Sequence, residues 1–158
     1  MTIPGEIELA EPKTETEWEQ YNAIRYEILR KPHGLQRGSE SDHPLEEIST
    51  HIVAKVDGRI VGAGCWAMLT RPDGKGGRYK YMRYRQIAVD PQYRNHGIAT
   101  KITDLMEAMA RARGAQEITG SPRDDVVAYF RRKGYHATGE GLTAFNGVKH
   151  TNICKPLR

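Results

Sequence analysis

The sequence predicts an α/β chain built on a mixed sheet of about seven strands, with helices covering both faces. Three observations predict it. Strand-length apolar runs alternate with three helix-length stretches in the order βαβββαβαββ. Asp57-Gly58 sits between two strand-like runs and is the strongest hairpin signal in the chain. Arg94-Asn95-His96-Gly97-Ile98-Ala99 lies between the end of an apolar strand and the start of an amphipathic helix. A chain that turns there aims several unpaired main-chain N–H groups, with the positive end of the helix dipole, at one point. That point suits a phosphate.

Each element follows from local chemistry. Glu6 to Ala10 reads as a first strand closed by Pro12. Thr14 with Glu17, and Thr16 with Glu19, offer two overlapping capping boxes for a helix through Leu29, with Trp18, Tyr21, Ile24, Ile28 and Leu29 on one face. Lys31-Pro32 ends it, and residues 32–48 read as a loop with at most a short helix from Leu45 to Ile48. His51 to Val56 and Arg59 to Leu69 form the hairpin around Asp57-Gly58. The glycine-rich Pro72 to Gly77 lies between two strands without a following helix, so it reads as a hairpin tip rather than a phosphate loop.

Tyr79 to Val89 is the long fourth strand, stopped by Asp90-Pro91. From Ile98 onward, Ile98, Ile102, Leu105, Met106 and Met109 recur at helical spacing, with Lys101, Asp104, Glu107 and Arg111 off the stripe. Arg113-Gly114 ends that helix. Gln116 to Thr119 is a short fifth strand, Asp124 to Lys133 the last helix with Pro122 near its first turn, and Tyr135 to Thr138 and Val148 to Cys154 the closing strands.

At 158 residues the chain is expected to form one domain, residues 1–158, with no internal repeat. The 24 basic and 20 acidic residues interleave, leaving a net charge of +4 and a pI near 9.1. A nucleic-acid binder calls for a denser basic stripe with aromatics, so no nucleic-acid partner is expected. A slight positive excess suits a polyanionic ligand. Cys65 and Cys154 are too few for a disulfide framework and read as buried thiols in a reducing compartment. No run approaches the ~20 apolar residues of a membrane span and no signal pattern opens the chain, so it reads as cytoplasmic. The six histidines show no metal-ligand spacing, so no metal is expected.

Neither the P-loop pattern nor the dinucleotide fingerprint occurs. What occurs is Ala88-Val89-Asp90-Pro91-x-Tyr93-Arg94-x-x-Gly97-Ile98-Ala99, followed later by Ala128-Tyr129-Phe130-Arg131-Arg132-Lys133-Gly134-Tyr135. The first stretch resembles the acetyl-coenzyme A motif of the GNAT superfamily of N-acyltransferases, and the second its late helix and following strand. The resemblance is strongest over residues 79–136. It implies the GNAT acyltransferase fold, acetyl-coenzyme A as acyl donor, and contacts to that donor from Ile87, Ala88, Val89, Arg94, Asn95, His96, Gly97, Ile98, Ala99, Thr100 and Phe130. It also implies that the main chain of Ile87 and Val89 pairs with the pantetheine arm, with the Ile87 N–H facing the thioester oxygen. Such a donor is worth about 2.7–4 kcal/mol in the transition state. Homodimers are common among its members.

An alkyl amine is only about one part in a thousand neutral at pH 7, so acyl transfer needs a base. Here the sequence departs from the family pattern. The frequent general acid is a Tyr where this chain has Phe130, and Tyr129 lies about 100° away on the helix. The frequent Glu on the fourth strand is replaced by Arg83. Strand alternation puts Arg83 and Arg85 on one face, where they either attract an acidic acceptor or are solvated near a strand end. Glu40, in the loop after the first helix, and His150, on the last strand, are the alternative bases. Thr100, Arg123 and Asp125 either contact the cofactor or brace the late helix.

The leading reading is an N-acetyltransferase acting on a small-molecule primary amine that carries an acidic group if the two arginines line the cleft. A rival within the same chemistry acts on a protein lysine or N-terminus. A rival of another class is a coenzyme A-binding sensor or interaction module without catalysis, kept open by the missing Tyr and Glu.

Overall fold

Why these segments fold as they do is clearest from their ends. The computed structural model describes residues 5–157, so the outermost residues of the expected 1–158 domain lie outside the described residues. Thr14 caps α1 (Glu15–Leu29) with a complete capping box: the Glu17 N–H donates to Thr14 Oγ1 at 3.1 Å and the Thr14 N–H to Glu17 Oε1 at 3.4 Å. The alternative box at Thr16 lies inside the helix. Ahead of α1 runs β1 (Ile7–Ala10); after it come β2 (Thr50–Val56), β3 (Arg59–Pro72) and β4 (Arg78–Val89). Then follow α2 (Ile98–Ala112), β5 (Glu117–Gly120), α3 (Val127–Arg132), β6 (His136–Ala144) and β7 (Val148–Pro156).

The strands form one mixed seven-stranded sheet in the order β1-β2-β3-β4-β5-β7-β6. β1 and β2 are antiparallel, and Asp57-Gly58 joins β2 to β3 with Val56 opposite Arg59. β4 and β5 run parallel over Tyr81↔Glu117 to Arg83↔Thr119, and β7 is antiparallel to both β5 and β6. Pro72 to Gly77 is the expected hairpin tip, where Asp73 Oδ1 accepts from the N–H groups of Lys75 (2.7 Å) and Gly77 (3.0 Å).

Several boundaries differ from expectation, among them β3, which runs to Pro72 rather than Leu69, and β7, which runs to Pro156 rather than Cys154. The short helix at 45–48 is a run of turns, and a 3-10 turn forms instead at Lys31–His33. The helix expected over Asp124 to Lys133 divides into a 3-10 turn at Asp124–Val126 and the short α3, and neither start carries a side-chain cap: Arg123 and Val126 stand at the cap positions. β6 runs on to Ala144 instead of stopping at Thr138. Gly139 and Gly141 look like strand breakers, but register shifts against β7 absorb them, and Phe145 and Asn146, both at positive φ (52° and 63°), close a hairpin.

The chain divides into two compact units, Met1–Trp66 with Gln86–Leu105 and Ala67–Arg85 with Met106–Arg158. In unit one Tyr21, Val53, Ile60 and Ala63 pack together with Ile24 against them. The first half of α2 seats Ile98 and Ile102 on β3, where a Cβ on Gly64 would stand 2.5 Å from Ile102 Cγ2. Only glycine permits that approach. In unit two the second half of α2 is tied to β7 and to the end of α3. Lys155 Nζ donates to Glu107 Oε1 (2.9 Å) and to the Lys133 carbonyl (2.8 Å), and the Tyr135 hydroxyl donates to Glu107 (3.3 Å). Cys65 and Cys154 are free, buried thiols.

Candidate active site

In unit one the end of β4 turns into α2 through a chain of local hydrogen bonds. The Asp90 N–H donates to the Val61 carbonyl (2.8 Å), and Asp90 Oδ1 accepts from the Gln92 N–H (2.9 Å), winding Pro91–Tyr93 into a 3-10 turn. Arg94 is extended, Asn95 adopts φ 66° and Gly97 φ 81°. Ile98, 1% exposed, then anchors the helix. The Lys101 N–H donates to the Gly97 carbonyl (2.9 Å), the first bond of α2. The Ile98 and Ala99 N–H groups therefore precede the helical ladder and have no partner within it.

A Cβ on Gly97 would meet no atom within 4 Å, so the turn borders open space just ahead of the helix start. Arg94, Asn95 and Gly97 are exposed, and His96, Ala99 and Thr100 are half-buried. Main-chain donors, a helix N-terminus and the Arg94 cation fit a diphosphate. Behind the turn, Ala88 is buried while Ile87 and Val89 on either side of it are half-buried.

The same unit holds a buried polar network that the apolar pattern of α1 conceals. Arg25 is fully buried. Its guanidinium donates to both Glu46 carboxylate oxygens (2.9 and 2.8 Å), to Gln86 Oε1 (3.1 Å) and to Asn22 Oδ1 (2.6 Å), and it lies over the Tyr21 ring at 4.3 Å. Burial pulls the Arg25 pKa down, but the hydrogen bond to Glu46 together with the charge interactions with Tyr21, Cys65 and Glu46 outweighs it, and the net shift is upward. Gln86, the residue before Ile87, donates in turn to the Glu40 carbonyl (3.0 Å), fastening the loop after α1 to β4.

Glu40 is 3% exposed, and its carboxylate accepts from the Gly38 N–H (2.9 Å) beside Arg37 (3.5 Å). His51 Nε2 lies 2.9 Å from the Glu46 carbonyl, which only accepts, so Nε2 holds the ring proton and Nδ1 accepts from the Tyr21 hydroxyl at 2.6 Å. Burial, first of all, raises the Tyr21 pKa and keeps that hydroxyl protonated.

Unit two carries the remaining candidates. Phe130 is 3% exposed, in an aromatic cluster with Tyr84, Tyr129 and Tyr135 at centroid distances of 5.1, 5.3 and 5.2 Å. His150 Nδ1 lies 3.1 Å from the Leu142 carbonyl and 3.0 Å from the Val148 carbonyl. Nδ1 must donate, which leaves Nε2 as the nitrogen able to accept a proton. Arg123 bridges His150 through the main chain and lies 3.5 Å from Asp125, while Asp124 accepts from Thr151 Oγ1 at 2.6 Å. These contacts brace the start of the late helix.

Sequence reasoning missed Arg25, Gln86, Ser121 and Asn152 as organising residues. Arg25 had a signal: it lies four residues after Tyr21 on the face predicted to be apolar, where a charge has to find a partner.

Residues 12–135 match the family model described as the Acetyltransferase (GNAT) family. This chain belongs to that family and is an N-acetyltransferase, of a class whose acyl donor is acetyl-coenzyme A. Over 132 residues it is 27% identical to the uncharacterized N-acetyltransferase YjcF of Bacillus subtilis strain 168, covering 84% of this chain and 87% of that one. An acyl-CoA N-acyltransferase from Pseudomonas aeruginosa shares the fold with a TM-score of 0.72 at 15% identity, covering 95% of this chain and 98% of that one. Arabidopsis thaliana Naa50, solved with the bisubstrate analogue CoA-Ac-MVNAL, shares it with a TM-score of 0.73 at 13% identity, covering 96% and 99%. Among the described residues no helix is long and apolar enough to cross a membrane, and no cluster of His, Cys, Asp or Glu side chains gathers to hold a metal.

Proposed function

We propose that this chain transfers an acetyl group from acetyl-coenzyme A to the primary amine of a small molecule by direct attack on the thioester. The observation that carries the reading is the turn Arg94 to Gly97, whose two left-handed residues lead into a helix start where the N–H groups of Ile98 and Ala99 have no partner in the helical ladder. Asn95, His96 and Thr100 flank that seat, and Ile87, Ala88 and Val89 offer the main chain to the pantetheine arm. The Ile87 N–H polarises the thioester carbonyl and stabilises the oxyanion that forms when the amine attacks.

His150 is the base in this reading. With Nδ1 donating to two carbonyls, Nε2 takes the amine proton. Glu40 is the weaker candidate, since its carboxylate is already held by the Gly38 N–H and Arg37. Phe130, buried among aromatic rings, offers no proton, so the thiolate leaves unassisted or another residue protonates it.

A protein amine is the second reading, favoured by the fold shared with Naa50 in its complex with a peptide-bearing analogue. Acetyl-coenzyme A turnover, followed as thiol release across small primary amines and across short peptides, separates the two. Turnover with peptides and none with small amines refutes the small-molecule reading. The described chain carries the family's fold as a single polypeptide, and a homodimer is a further expectation that sedimentation tests.

A further inference from the structure

The even mixture of charges along the chain hides a division between its compact units. Met1–Trp66 with Gln86–Leu105 holds 9 Lys/Arg against 14 Asp/Glu, a net of −5; Ala67–Arg85 with Met106–Arg158 holds 15 against 6, a net of +9. Inside the basic unit the carboxylates are largely taken. Glu117 pairs with Arg71 (2.9 Å), Glu107 with Lys155 (2.9 Å), Asp125 faces Arg123 (3.5 Å) and Asp124 holds Thr151 (2.6 Å).

Arg83 has no such partner. It stands opposite Thr119, at the last position where β4 pairs with β5. Its Nη2 donates to Ser121 Oγ (2.9 Å), the Ser121 hydroxyl donates to Asn152 Oδ1 (2.5 Å), and Asn152 Nδ2 donates to the Glu140 carbonyl (3.4 Å). Every proton in this relay points away from the guanidinium. Ser121 therefore presents a lone pair to Arg83, and Asn152 fixes that orientation.

The guanidinium is half-buried, and burial lowers its pKa, with Tyr81 only partly compensating. Its other N–H groups have no partner among the described residues, and no carboxylate there neutralises it. Beside it, Thr119 Oγ1 is buried without a hydrogen-bond partner among the described residues. Partly desolvated cations and orphaned hydroxyls are costly unless something completes them, and a planar guanidinium is completed best by a two-oxygen anion. Arg85, the next cation along the same face of this strand, already has interactions of its own. On β7, His150 lies two residues before Asn152 and so faces the same side of the strand as the relay.

We propose that Arg83, oriented by Ser121 and Asn152, binds a carboxylate or phosphate group carried by the acceptor, which is therefore an amino acid-like or aminoalkyl phosphate molecule rather than a plain amine. This rests on the small-molecule acetyltransferase reading and narrows its acceptor. The excess positive charge of the same unit draws such an anion inward, and the guanidinium holds its two oxygens.

The test uses the full chain with acetyl-coenzyme A and two matched pairs: γ-aminobutyrate against butylamine, and 2-aminoethyl phosphate against ethanolamine. A bidentate charged contact predicts that kcat/KM favours at least one acid of a pair by about ten- to a hundred-fold, and comparing the pairs tells carboxylate from phosphate. In Arg83→Gln the preference falls toward unity through KM. Ser121→Asp supplies Arg83 with an internal anion, so it abolishes the preference while raising Tm, an outcome that a merely structural Arg83 does not give.

Should no amine of the panel turn over, the acetylation of small amines fails, and binding still decides the anion site. A rise in Tm on adding γ-aminobutyrate or 2-aminoethyl phosphate, present in the wild type and absent in Arg83→Gln, supports it. Acetylation without preference for the acids, a preference that survives both substitutions, or the absence of any acid-induced Tm shift overturns it.

Discussion

Replacing Arg25 by Met tests whether the interior of unit one is organised by charge as much as by apolar packing. Met keeps much of the side-chain volume and deletes the guanidinium. The substitution leaves Glu46, whose side chain is 19% exposed, without its cation, and takes away the donors that Gln86 Oε1 and Asn22 Oδ1 now share. Breaking a buried ion pair from one side costs about 3–5 kcal/mol. The partial exposure of Glu46 places this case near the lower end, about 3 kcal/mol.

For a chain of this size, that corresponds to a fall in Tm of roughly 6–12 °C. The decisive assay is a double-mutant cycle by urea denaturation with Arg25→Met, Glu46→Gln and the pair. If the single loss reflects an abandoned carboxylate, the double variant recovers about 1–3 kcal/mol relative to the sum of the singles. Additivity within about 0.5 kcal/mol refutes the reasoning and assigns the effect to packing alone.

Gly97→Val forces a β-branched residue to φ 81°, costing about 1–2 kcal/mol of stability, and weakens coenzyme A binding at least about tenfold by calorimetry. Gly97→Asn tolerates that φ and retains most of the stability while still obstructing the N–H groups; an unaltered affinity in both variants counts against a diphosphate seat. His150→Gln lowers kcat by about 10²–10⁴ with partial rescue by added imidazole, and a variant of undiminished kcat removes His150 from the chemistry.

Burial, helped by Glu117, pushes the Cys154 thiol up from 9.0 to about 12. Because the folded pKa is the higher one, this stability is complete below about pH 9 and is lost as pH rises toward about 12. The urea midpoint should fall over that window, less steeply in Cys154→Ala, and a pH-independent midpoint in the wild type contradicts the assignment.

Much of the architecture was legible because it rests on local chemistry. The Thr14-Glu17 box, the Asp57-Gly58 turn and the Ile98-Ile102-Met106 stripe each contain their own cause, and each forms where the residues place it. The left-handed Asn95 and Gly97 were equally readable, since few residue types accept that conformation. What escaped depends on partners distant in sequence. Arg25 is buried only because Glu46 and Gln86, 21 and 61 residues away, meet it. The length of β6 depends on β7 accepting its register shifts, which two glycines in isolation argue against. Arg83 drew attention as a cation, but its setting needs Ser121 and Asn152, residues that no pattern along the chain connects.

The irregular outer strand has a consequence for the molecule in concentrated solution. β6 lies at the sheet margin, and its pairing with β7 slips between Ala137 and Gly139 and again between Glu140 and Thr143. A straight margin would display a continuous comb of donors and acceptors onto which neighbouring molecules could zip into fibrils. Broken twice, and bearing the Glu140 carboxylate between the breaks, this comb has no long run of matching teeth, so the hairpin can project into solvent without seeding polymerisation.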